Sequence, residues 1–505
     1  MARPPLLLTL DQGTTSSRAA LYAADGRRLC SCSVPLPARY PADGWVEQDP
    51  LALWQSQLQA MAELERAISP EQRRAVVACG ITNQRETTVL WRRRDGSPLG
   101  PAIVWQDRRT ADRCAVWKAR GLEPLIRQRT GLLIDPYFSA SKILWLLEQQ
   151  PAEASALACG TVDSWLLWQL TAGRRHATDR SNASRTLLMD LAARRWDAEL
   201  CTALEVPEAL LPELLPSAAG FGAIATDLPF AGVPITAVLG DQQAATLGQS
   251  CLTPGQAKCT YGTGAFLVIN AGASPCHSPD GLLSTYGWTD PAGNDTYCLE
   301  GSLMNAGTVV QWLRDGLGLI ERADQVNALA AAAPARSGLM LVPAFTGWGT
   351  PHWDPLARGL LLGITRDTDA AQLARAGLEG MALAVANLVQ LAQQALPAPL
   401  TALAADGGAA AADLLLQAQA DATGLPVWRR ADLESTGRGV ALLAGVQAGV
   451  VPSLASWQQV PQEPPARCFL PAISPDEGRR WLERWQEALR RSLAWHSVES
   501  GAAAP

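Results

Sequence analysis

The sequence lacks several features that would indicate particular classes of protein. It has only four histidines, far apart and not beside a closely spaced cysteine pair, so a structural zinc site is not expected. The 11 cysteines include no CxxC motif, and the chain is too long and too poor in cysteine to be a disulfide scaffold. We therefore expect reduced thiols and a cytoplasmic location.

Strong positive charge and long apolar segments are also absent. The formal net charge is −6, which provides no basic field for nucleic acid. The apolar run near the N-terminus is too short for a signal peptide, and no later run is long enough to span a bilayer, so we expect no membrane insertion. Hydrophobic residues make up 48% of the chain, enough for about two to four domains with large cores.

The turns and apolar positions that are present are typical of an α/β protein. Leu6–Leu10 is predicted to be a buried strand, and Asp25-Gly26 to form a hairpin turn after the next strand. Asp49 is predicted to cap the N-terminus of a helix. The apolar face predicted for this helix consists of Leu51, Trp54, Leu58 and Met61.

The second half of the chain repeats this arrangement. Residues 258–270 again contain a strand, a Gly-Thr turn and a strand, and residues 403–420 a strand, a glycine turn and a helix. Long helices are predicted from about residue 369 to about 396 and from Ser474 onward. The sequence therefore predicts two similar halves, each with a turn that could face phosphate.

The segment Asp11–Arg18, DQGTTSSR, follows the first predicted strand. Glycine permits a sharp turn close to a ligand, while backbone amides, hydroxyls and the Arg18 guanidinium can bind phosphate oxygens. Asp11 is a hard oxygen donor suited to Mg²⁺, through water. The chain contains no Walker A motif, and an ordinary polar hairpin turn is the alternative interpretation of this segment.

Two further segments carry side chains suited to a polyol. Arg85 and Glu86 follow a strand and could donate to and accept from hydroxyl groups, although adjacent opposite charges are also common as surface ion pairs. Trp105 precedes five polar residues and could form one wall of a pocket or belong to the core.

Asp241 comes directly after a hydrophobic strand. Its carboxylate, with an unperturbed pKa of about 3.9, could accept a proton from an attacking hydroxyl, or it could cap the following helix. Gly262–Phe266 offers a second phosphate turn with a ring beyond it, and Gly407-Gly408 could let the backbone pass close to a flat base. Each of these short motifs could also be a plain turn.

Together and in this order, several segments resemble those of the FGGY family of carbohydrate kinases, and among its members those that phosphorylate glycerol. They are LDQGTTSSR, GITNQRETT, VWQDRRT, GLLIDPYFSASK, GDQQAA, YGTGAF and VPAFTGWGTPHWDPLARG. The resemblance runs from about Leu10 to about residue 495. It implies an α/β fold of two actin-like (ribonuclease H-like) domains around a central cleft, with an N-terminal domain of residues 1–250 and a C-terminal domain of residues 251–505.

The resemblance also implies an activity, which is transfer of the γ-phosphoryl group of ATP to glycerol with Mg²⁺, and a homo-oligomer, either a dimer or a tetramer. It implies that Asp241 is the general base and that Asp11 lies near Mg²⁺. The implied polyol-binding residues are Arg85, Glu86, Trp105, Tyr137, Asp241, Gln242 and Phe266. The implied ATP-binding residues are Thr14, Thr15, Ser16, Arg18, Thr263, Gly307, Gln311, Gly408 and Ala412.

One position departs from the family pattern. In the family the glycine turn continues to an asparagine that contacts the base, whereas this chain has Ala412, which predicts weaker or less selective adenine recognition. Two other interpretations remain open at this point: a kinase for another small polyol or ketose, and an actin-like ATP-binding regulator without turnover. The presence of Asp11 and Asp241 argues against the regulator.

Overall fold

Two mixed β-sheets, one built mainly from each half of the chain, organise the fold. The computed structural model describes residues 4–150, 153–276, 281–396, 398–431, 434–458 and 467–495. Short single-turn helices, which are not numbered here, connect several of the regular elements.

The first half supplies the first sheet, a smaller four-stranded sheet and their helices. Its strands are β1 (Leu6–Gln12), β2 (Ser16–Ala23), β3 (Arg28–Pro35), β4 (Glu47–Gln48), β5 (Val76–Asn83), β6 (Thr88–Arg92), β7 (Ala102–Ile103), β8 (Leu157–Thr161), β9 (Ala177–Asp179), β10 (Met189–Asp190), β11 (Arg195–Trp196), β12 (Glu213–Leu215), β13 (Ala218–Ala223) and β14 (Pro234–Gly240). Its helices are α1 (Pro50–Ala67), α2 (Pro70–Ala75), α3 (Ala111–Ala119), α4 (Glu123–Thr130), α5 (Ser139–Glu148), α6 (Val162–Leu170), α7 (Arg180–Ala183), α8 (Ala198–Ala203) and α9 (Asp241–Gly248).

The second half supplies the second sheet and a layer of longer helices. Its strands are β15 (Ala257–Tyr261), β16 (Ala265–Gly272), β17 (Leu283–Thr289), β18 (Asp295–Leu303), β19 (Met340–Val342), β20 (Leu360–Leu362), β21 (Leu403–Asp406), β22 (Val427–Arg429) and β23 (Arg467–Phe469). Its helices are α10 (Gly307–Gln311), α11 (Val326–Ala331), α12 (Ala370–Ala395), α13 (Asp413–Thr423), α14 (Ser435–Gln447) and α15 (Pro475–Ser492).

The two large sheets share the arrangement of their central strands. The first has the strand order β13-β14-β5-β1-β2-β3, in which β14, β5 and β1 are parallel and β1 pairs with β2 as an antiparallel hairpin. The second has the order β17-β18-β16-β15-β21-β22-β23, in which β15, β21 and β22 are parallel and β15 pairs with β16 as an antiparallel hairpin. This repetition confirms the α/β fold of two similar halves that the sequence predicts.

Helix α14 lies against the first sheet. It packs on β1, β5, β14 and α9, although it comes from the second half of the chain. The approach is close, because a Cβ atom added at Gly439 would lie 1.8 Å from the carbonyl oxygen of Ala244 in α9. The boundary predicted at residue 250 falls between α9 and β15, and α14 crosses back over it to the first sheet.

Helix α1 begins where the sequence predicts, and its buried face includes Met61 as predicted but not Leu51. The Asp49 side chain accepts the Leu51 backbone N–H at 2.9 Å, as expected of an N-cap. Leu51 itself is 45% exposed, however, and the buried apolar residues of α1 are Leu53, Ala60, Met61 and Leu64. The predicted face was wrong at Leu51 because the position of β2 and β3, on which α1 packs, decides which stripe of the helix is buried.

The predicted hairpin turn and the predicted starts of α12 and α15 are confirmed. Gly26 forms the β2–β3 turn with a φ of +88°, and α12 and α15 carry side-chain caps from Asp369 and Ser474. All 11 cysteines are free thiols. No helix in the described ranges has both the length and the apolar composition needed to cross a bilayer.

Candidate active site

The first candidate phosphate turn connects β1 to β2. The Gly13 N–H donates to the carbonyl oxygen of Ser16 at 2.9 Å and closes the turn. Thr15 is exposed, while Thr14 and Ser16 are partly exposed. The turn therefore presents hydroxyl groups to solvent on the side where a ligand could approach.

The charged residues of this turn are tied to α14. The Asp11 carboxylate accepts the Thr436 hydroxyl at 2.9 Å, and Arg18 forms an ion pair with Glu434. Burial raises the pKa of Asp11, an effect that the neighbouring Arg18 opposes. Asp11 and Arg18 are also partners in the β1–β2 register, so the carboxylate and the guanidinium lie side by side at the strand ends.

A cavity of about 510 Å³ lies beside the second candidate phosphate turn. Its walls come from the β15–β16 turn, α10, α11 and the glycine turn after β21. Five residues that the resemblance assigns to ATP binding line it, namely Thr263, Gly307, Gln311, Gly408 and Ala412. The structure therefore brings together residues that are up to about 150 positions apart in the sequence.

Two glycines allow these walls to meet. The Gly307 N–H donates to the carbonyl oxygen of Gly262 at 2.9 Å, and a Cβ atom at Gly307 would lie 2.4 Å from that oxygen. Gly407 has a φ of +84°, and its Cβ would lie 2.6 Å from the carbonyl oxygen of Tyr261. Any larger residue at these two positions would push the cavity walls apart.

The wall at Ala412 offers no polar side chain, but Asn327 from α11 lines the same cavity. The Leu414 N–H donates to the Asn327 side-chain oxygen at 2.9 Å. A backbone N–H can only donate, so the contacting atom is the amide oxygen and the amide nitrogen remains as a donor. Asn327 was not predicted from the sequence, because the residues around it form no motif that would indicate a binding role.

A buried cluster of charged residues forms the second part of the site. Arg85 and Glu86 are 2% and 1% exposed, which excludes the surface ion pair considered from the sequence. Arg85 donates to both carboxylate oxygens of Glu300 at 2.6 and 3.0 Å, and its Nε lies 3.4 Å from Oδ1 of Asp241. Arg85 therefore lies between two carboxylates, one from each half of the chain.

Arg185 and Glu300 complete this cluster. Neither was predicted from the sequence to belong to the site. Arg185 donates to Glu86 at 2.6 Å and to Glu300 at 2.9 Å, and both of these residues and Arg185 are buried. Burial alone would raise the pKa of Glu300, but Arg185 and Arg85 together bring it down to about 2. The available signal was Glu300 as the one charged residue between Thr296 and Leu303, because a charge that is buried in a strand requires a partner.

Asp241 opens α9 at the end of β14. The N-cap position is Gly240, so the Asp241 carboxylate does not serve as the helix cap that the sequence also allowed. Burial raises the pKa of Asp241 to about 6, although Arg85 opposes this shift. A Cβ atom at Gly240 would lie 2.8 Å from Cδ of Arg85, so glycine is needed there for Arg85 to pass.

Gln242, the next residue, contacts the second half of the chain. Its side-chain oxygen accepts a hydrogen bond from Nζ of Lys258, a buried residue of β15. Lys258 also donates to the Thr260 hydroxyl at 2.7 Å, and burial lowers the pKa of its amine. The first turn of α9 is therefore held against the second sheet.

Aromatic rings form one wall beside the charged cluster. The ring centroid of Trp105 lies 5.9 Å from that of Tyr137 and 5.8 Å from that of Phe266. The Trp105 Nε1–H donates to the Thr14 hydroxyl at 3.0 Å, which links this wall to the first phosphate turn. Phe266 belongs to β16, in the same hairpin as Thr263, so the wall and the cavity lie on either side of one turn.

Lys142 holds two parts of this wall together. From α5 its ammonium donates to the carbonyl oxygens of Tyr137, at 2.6 Å, and of Glu86, at 3.2 Å. Glu86 has a φ of +59°, a strained value for a residue other than glycine, and the Lys142 contact fixes its carbonyl. Burial lowers the pKa of Lys142 to about 8.

Metal-binding groups are sparse in the part of the chain that the structure describes. There, no three or more His, Cys, Asp or Glu side chains form a group able to hold a metal ion by themselves. Mg²⁺ commonly uses one or two carboxylates together with phosphate oxygens and water. A single carboxylate at the first phosphate turn, Asp11, fits that pattern.

Comparisons with known proteins agree with this arrangement. The sequence models of the FGGY family of carbohydrate kinases match here, the N-terminal domain at residues 6–248 and the C-terminal domain at residues 257–448. A glycerol kinase of Citrifermentans bemidjiense is 49% identical over 496 residues, covering 97% of this chain and 99% of that protein. A glycerol kinase of Thermus brockianus is 50% identical over 497 residues, with coverage of 97% and 99%.

The fold is shared with a solved structure as well. The crystal structure of Plasmodium falciparum glycerol kinase with ADP superposes with a TM-score of 0.88 at 30% identity, covering 97% of this chain and 98% of that one.

Proposed function

The chain belongs to the FGGY family of carbohydrate kinases, and we propose that it transfers the γ-phosphoryl group of ATP to glycerol, giving sn-glycerol 3-phosphate. Its relatives are glycerol kinases, and its two actin-like α/β halves are those of the family. The observation that carries the proposal is the buried pair Arg85 and Glu86 with the partly exposed Asp241, beside an aromatic wall and across one turn from the 510 Å³ cavity.

In this proposal the cluster binds and activates the polyol. Arg85 donates to glycerol hydroxyls, Glu86 accepts from them, and Asp241 takes the proton of the primary hydroxyl that attacks phosphorus. Tyr137 and Gln242 assist in binding, while Trp105 and Phe266 cover the carbon edge of the triol and exclude water. Positioning and electrostatic stabilisation supply most of the rate enhancement in such an in-line transfer.

The two turns and the cavity hold the nucleotide in this proposal. The phosphates lie at Thr14, Thr15, Ser16, Arg18 and Thr263, and the nucleoside at Gly307, Gln311, Gly408 and Ala412. Asp11 would hold magnesium together with phosphate oxygens. When bound, magnesium neutralises negative charge on the phosphates.

We also propose a cellular location and an oligomeric state. A cytoplasmic location is supported by the absence of disulfides among the 11 cysteines. A dimer or tetramer is proposed by likeness to the family, and light scattering of the purified protein would test it, with a monomeric mass at micromolar concentration as the contrary result.

The identity of the product tests the proposed function. Purified protein is incubated with ATP, magnesium chloride and glycerol, and the product is followed by ³¹P NMR and by coupling to a dehydrogenase specific for sn-glycerol 3-phosphate. We expect a new phosphomonoester signal that the dehydrogenase consumes completely. A phosphomonoester that the dehydrogenase leaves untouched, or inorganic phosphate as the only product, would contradict the proposal.

The rate should depend on pH through Asp241. Because burial raises its pKa to about 6, the carboxylate is protonated and inactive as a base below that pH and ionised above it. We expect kcat/KM for glycerol to fall about tenfold per pH unit below pH 6 and to level off above pH 7. A profile of kcat/KM against pH that stays flat between pH 5 and 8, with protein shown to be folded throughout, would exclude this role.

Nucleotide selectivity should respond to position 412. An asparagine there would add a donor and an acceptor to a cavity wall that now has only a methyl group. We expect Ala412→Asn to lower KM for ATP about three- to tenfold relative to KM for GTP. Ala412→Leu, which adds bulk without polarity, is the matched control. Unchanged KM values for both nucleotides in the asparagine variant would contradict a role of position 412 in adenine recognition.

A further inference from the structure

One buried carboxylate, Glu300, joins the two halves of the protein at the polyol site. Glu300 lies in β18 of the second sheet, whereas Arg85 and Glu86 follow β5 of the first sheet and Arg185 follows α7. Glu300 and Arg185 are each 0% exposed. The polyol-binding pair is therefore in contact with a charge that only the second half of the chain supplies.

The charges alternate along one continuous line. Arg185 donates hydrogen bonds to Glu86 at 2.6 Å and to Glu300 at 2.9 Å. Glu300 also accepts hydrogen bonds from both terminal nitrogens of Arg85. The line ends at Asp241, whose Oδ1 lies 3.4 Å from Nε of Arg85. Arg85 is thus held by Glu300 directly, Glu86 through Arg185, and Asp241 through Arg85.

The two oxygens of Glu300 are already occupied. One accepts from Arg85, Arg185 and the Ser302 hydroxyl, and the other accepts from Arg85. Glu300 is also 0% exposed, so its contacts are with the protein and not with the substrate. Its two-point contact fixes the plane of the Arg85 guanidinium, because a bidentate pair constrains orientation as well as distance.

Arg185 is held by the aromatic wall as well as by charge. Its guanidinium carbon lies 5.5 Å from the ring centroid of Tyr137 and 5.2 Å from that of Phe138. An arginine fixed by rings on one side and by two carboxylates on the other has little rotational freedom. The same contacts fix the carboxylate of Glu86, which Arg185 holds.

We propose that Glu300 and Arg185 are positioning residues for the polyol, so that the Arg85–Glu86 pair has its binding geometry only when the second sheet presents Glu300 to the first. The proposal rests on the proposed function, since it assigns the pair to polyol binding. It explains how a polyol-binding pair in one half of the chain depends on the half that holds the nucleotide.

Steady-state kinetics of Glu300→Gln test this proposal. Glutamine keeps the shape but loses the charge and one acceptor, so we expect KM for glycerol to rise about 30- to 100-fold while KM for ATP changes less than about threefold. Glu300→Asp, which keeps the charge but shortens the reach, should give an intermediate rise. A purely structural role would instead lower the amount of active enzyme and leave both KM values unchanged.

Glu379→Gln is the matched control. Glu379 is also buried, at 4% exposed, and pairs with Arg375 within α12, away from the cluster. We expect a lower melting temperature and an unchanged KM for glycerol. If Glu300→Gln does not fold, Glu300→Asp and Arg185→Lys decide the question, because both keep the charges and change only the geometry.

The outcomes separate this proposal from the proposed function. Wild-type turnover with glycerol tests the function, whereas the ratio of variant to wild-type KM tests the positioning, and that ratio is measured with whichever polyol the wild type phosphorylates. A KM for the polyol within about twofold of wild type in folded Glu300→Gln, or in both conservative variants, would overturn the proposal.

Discussion

Replacing Asp241 with asparagine is expected to lower kcat for glycerol phosphorylation by about 10² to 10⁴-fold, the range typical for loss of a general base. Asparagine has nearly the same shape and can still occupy the start of α9, but it cannot take a proton. KM for glycerol should change less than about threefold, because Arg85 and Glu86 remain in place. Initial rates of ADP release at saturating glycerol and ATP measure the effect.

Asp163→Asn is a suitable control for this variant. Asp163 is another fully buried carboxylate, bonded to the hydroxyls of Thr161 and Thr178, and burial raises its pKa to about 7. Asp163 lies outside the charged cluster, so kcat of the Asp163→Asn variant should stay within about threefold of wild type. If Asp241→Asn retained more than about a tenth of wild-type kcat, Asp241 would not be the base.

Replacing Arg85 with alanine is expected to raise KM for glycerol about 10- to 100-fold. A hydrogen bond to a charged group contributes about 1.5–3 kcal/mol, and the variant loses such a donor to the polyol. It also leaves Glu300 with Arg185 as its only cationic partner among the described residues, which costs about 3–5 kcal/mol of folding stability. Kinetics at varied glycerol and a thermal melt separate the two effects.

Arg109→Ala serves as the control for loss of a buried arginine. The Arg109 side chain is 0% exposed and pairs with Asp107 and Glu47, away from Arg85 and its partners. Its loss should lower the melting temperature while KM for glycerol stays within about threefold. An equal rise in KM for both variants would mean that Arg85 acts only through stability.

The sequence predicts the strands and turns of the site better than it predicts their surroundings. Arg85 and Glu86 are visible as a polar pair after a strand, but their burial depends on Glu300, which is 215 residues after Arg85, and on Arg185, which is 99 residues after Glu86. No local pattern carries contacts over such distances. The resemblance to the family supplied the role of the pair, and only the folded chain shows what holds it in position.

Helix positions illustrate the same limit. Caps are local, since Asp49, Asp369 and Ser474 each bond to a residue two or three positions away, and the helix starts predicted near these three positions are confirmed. The buried face of α1 is decided by the strands below it, and there the prediction was wrong at Leu51. Likewise, α14 packs on the sheet of the other half, a long-range contact that composition does not indicate.

ADP release from purified protein with ATP and magnesium tests the proposed function most directly when glycerol, dihydroxyacetone, xylulose, ribulose and erythritol are supplied in turn. We expect strong release with glycerol, and a value of kcat/KM for glycerol at least about tenfold above that for any other compound. A higher kcat/KM for a ketose would keep the phosphoryl transfer and change the substrate. If the folded protein binds ADP but releases no ADP in response to any polyol, that result would contradict the proposed function and favour a nucleotide-binding regulator.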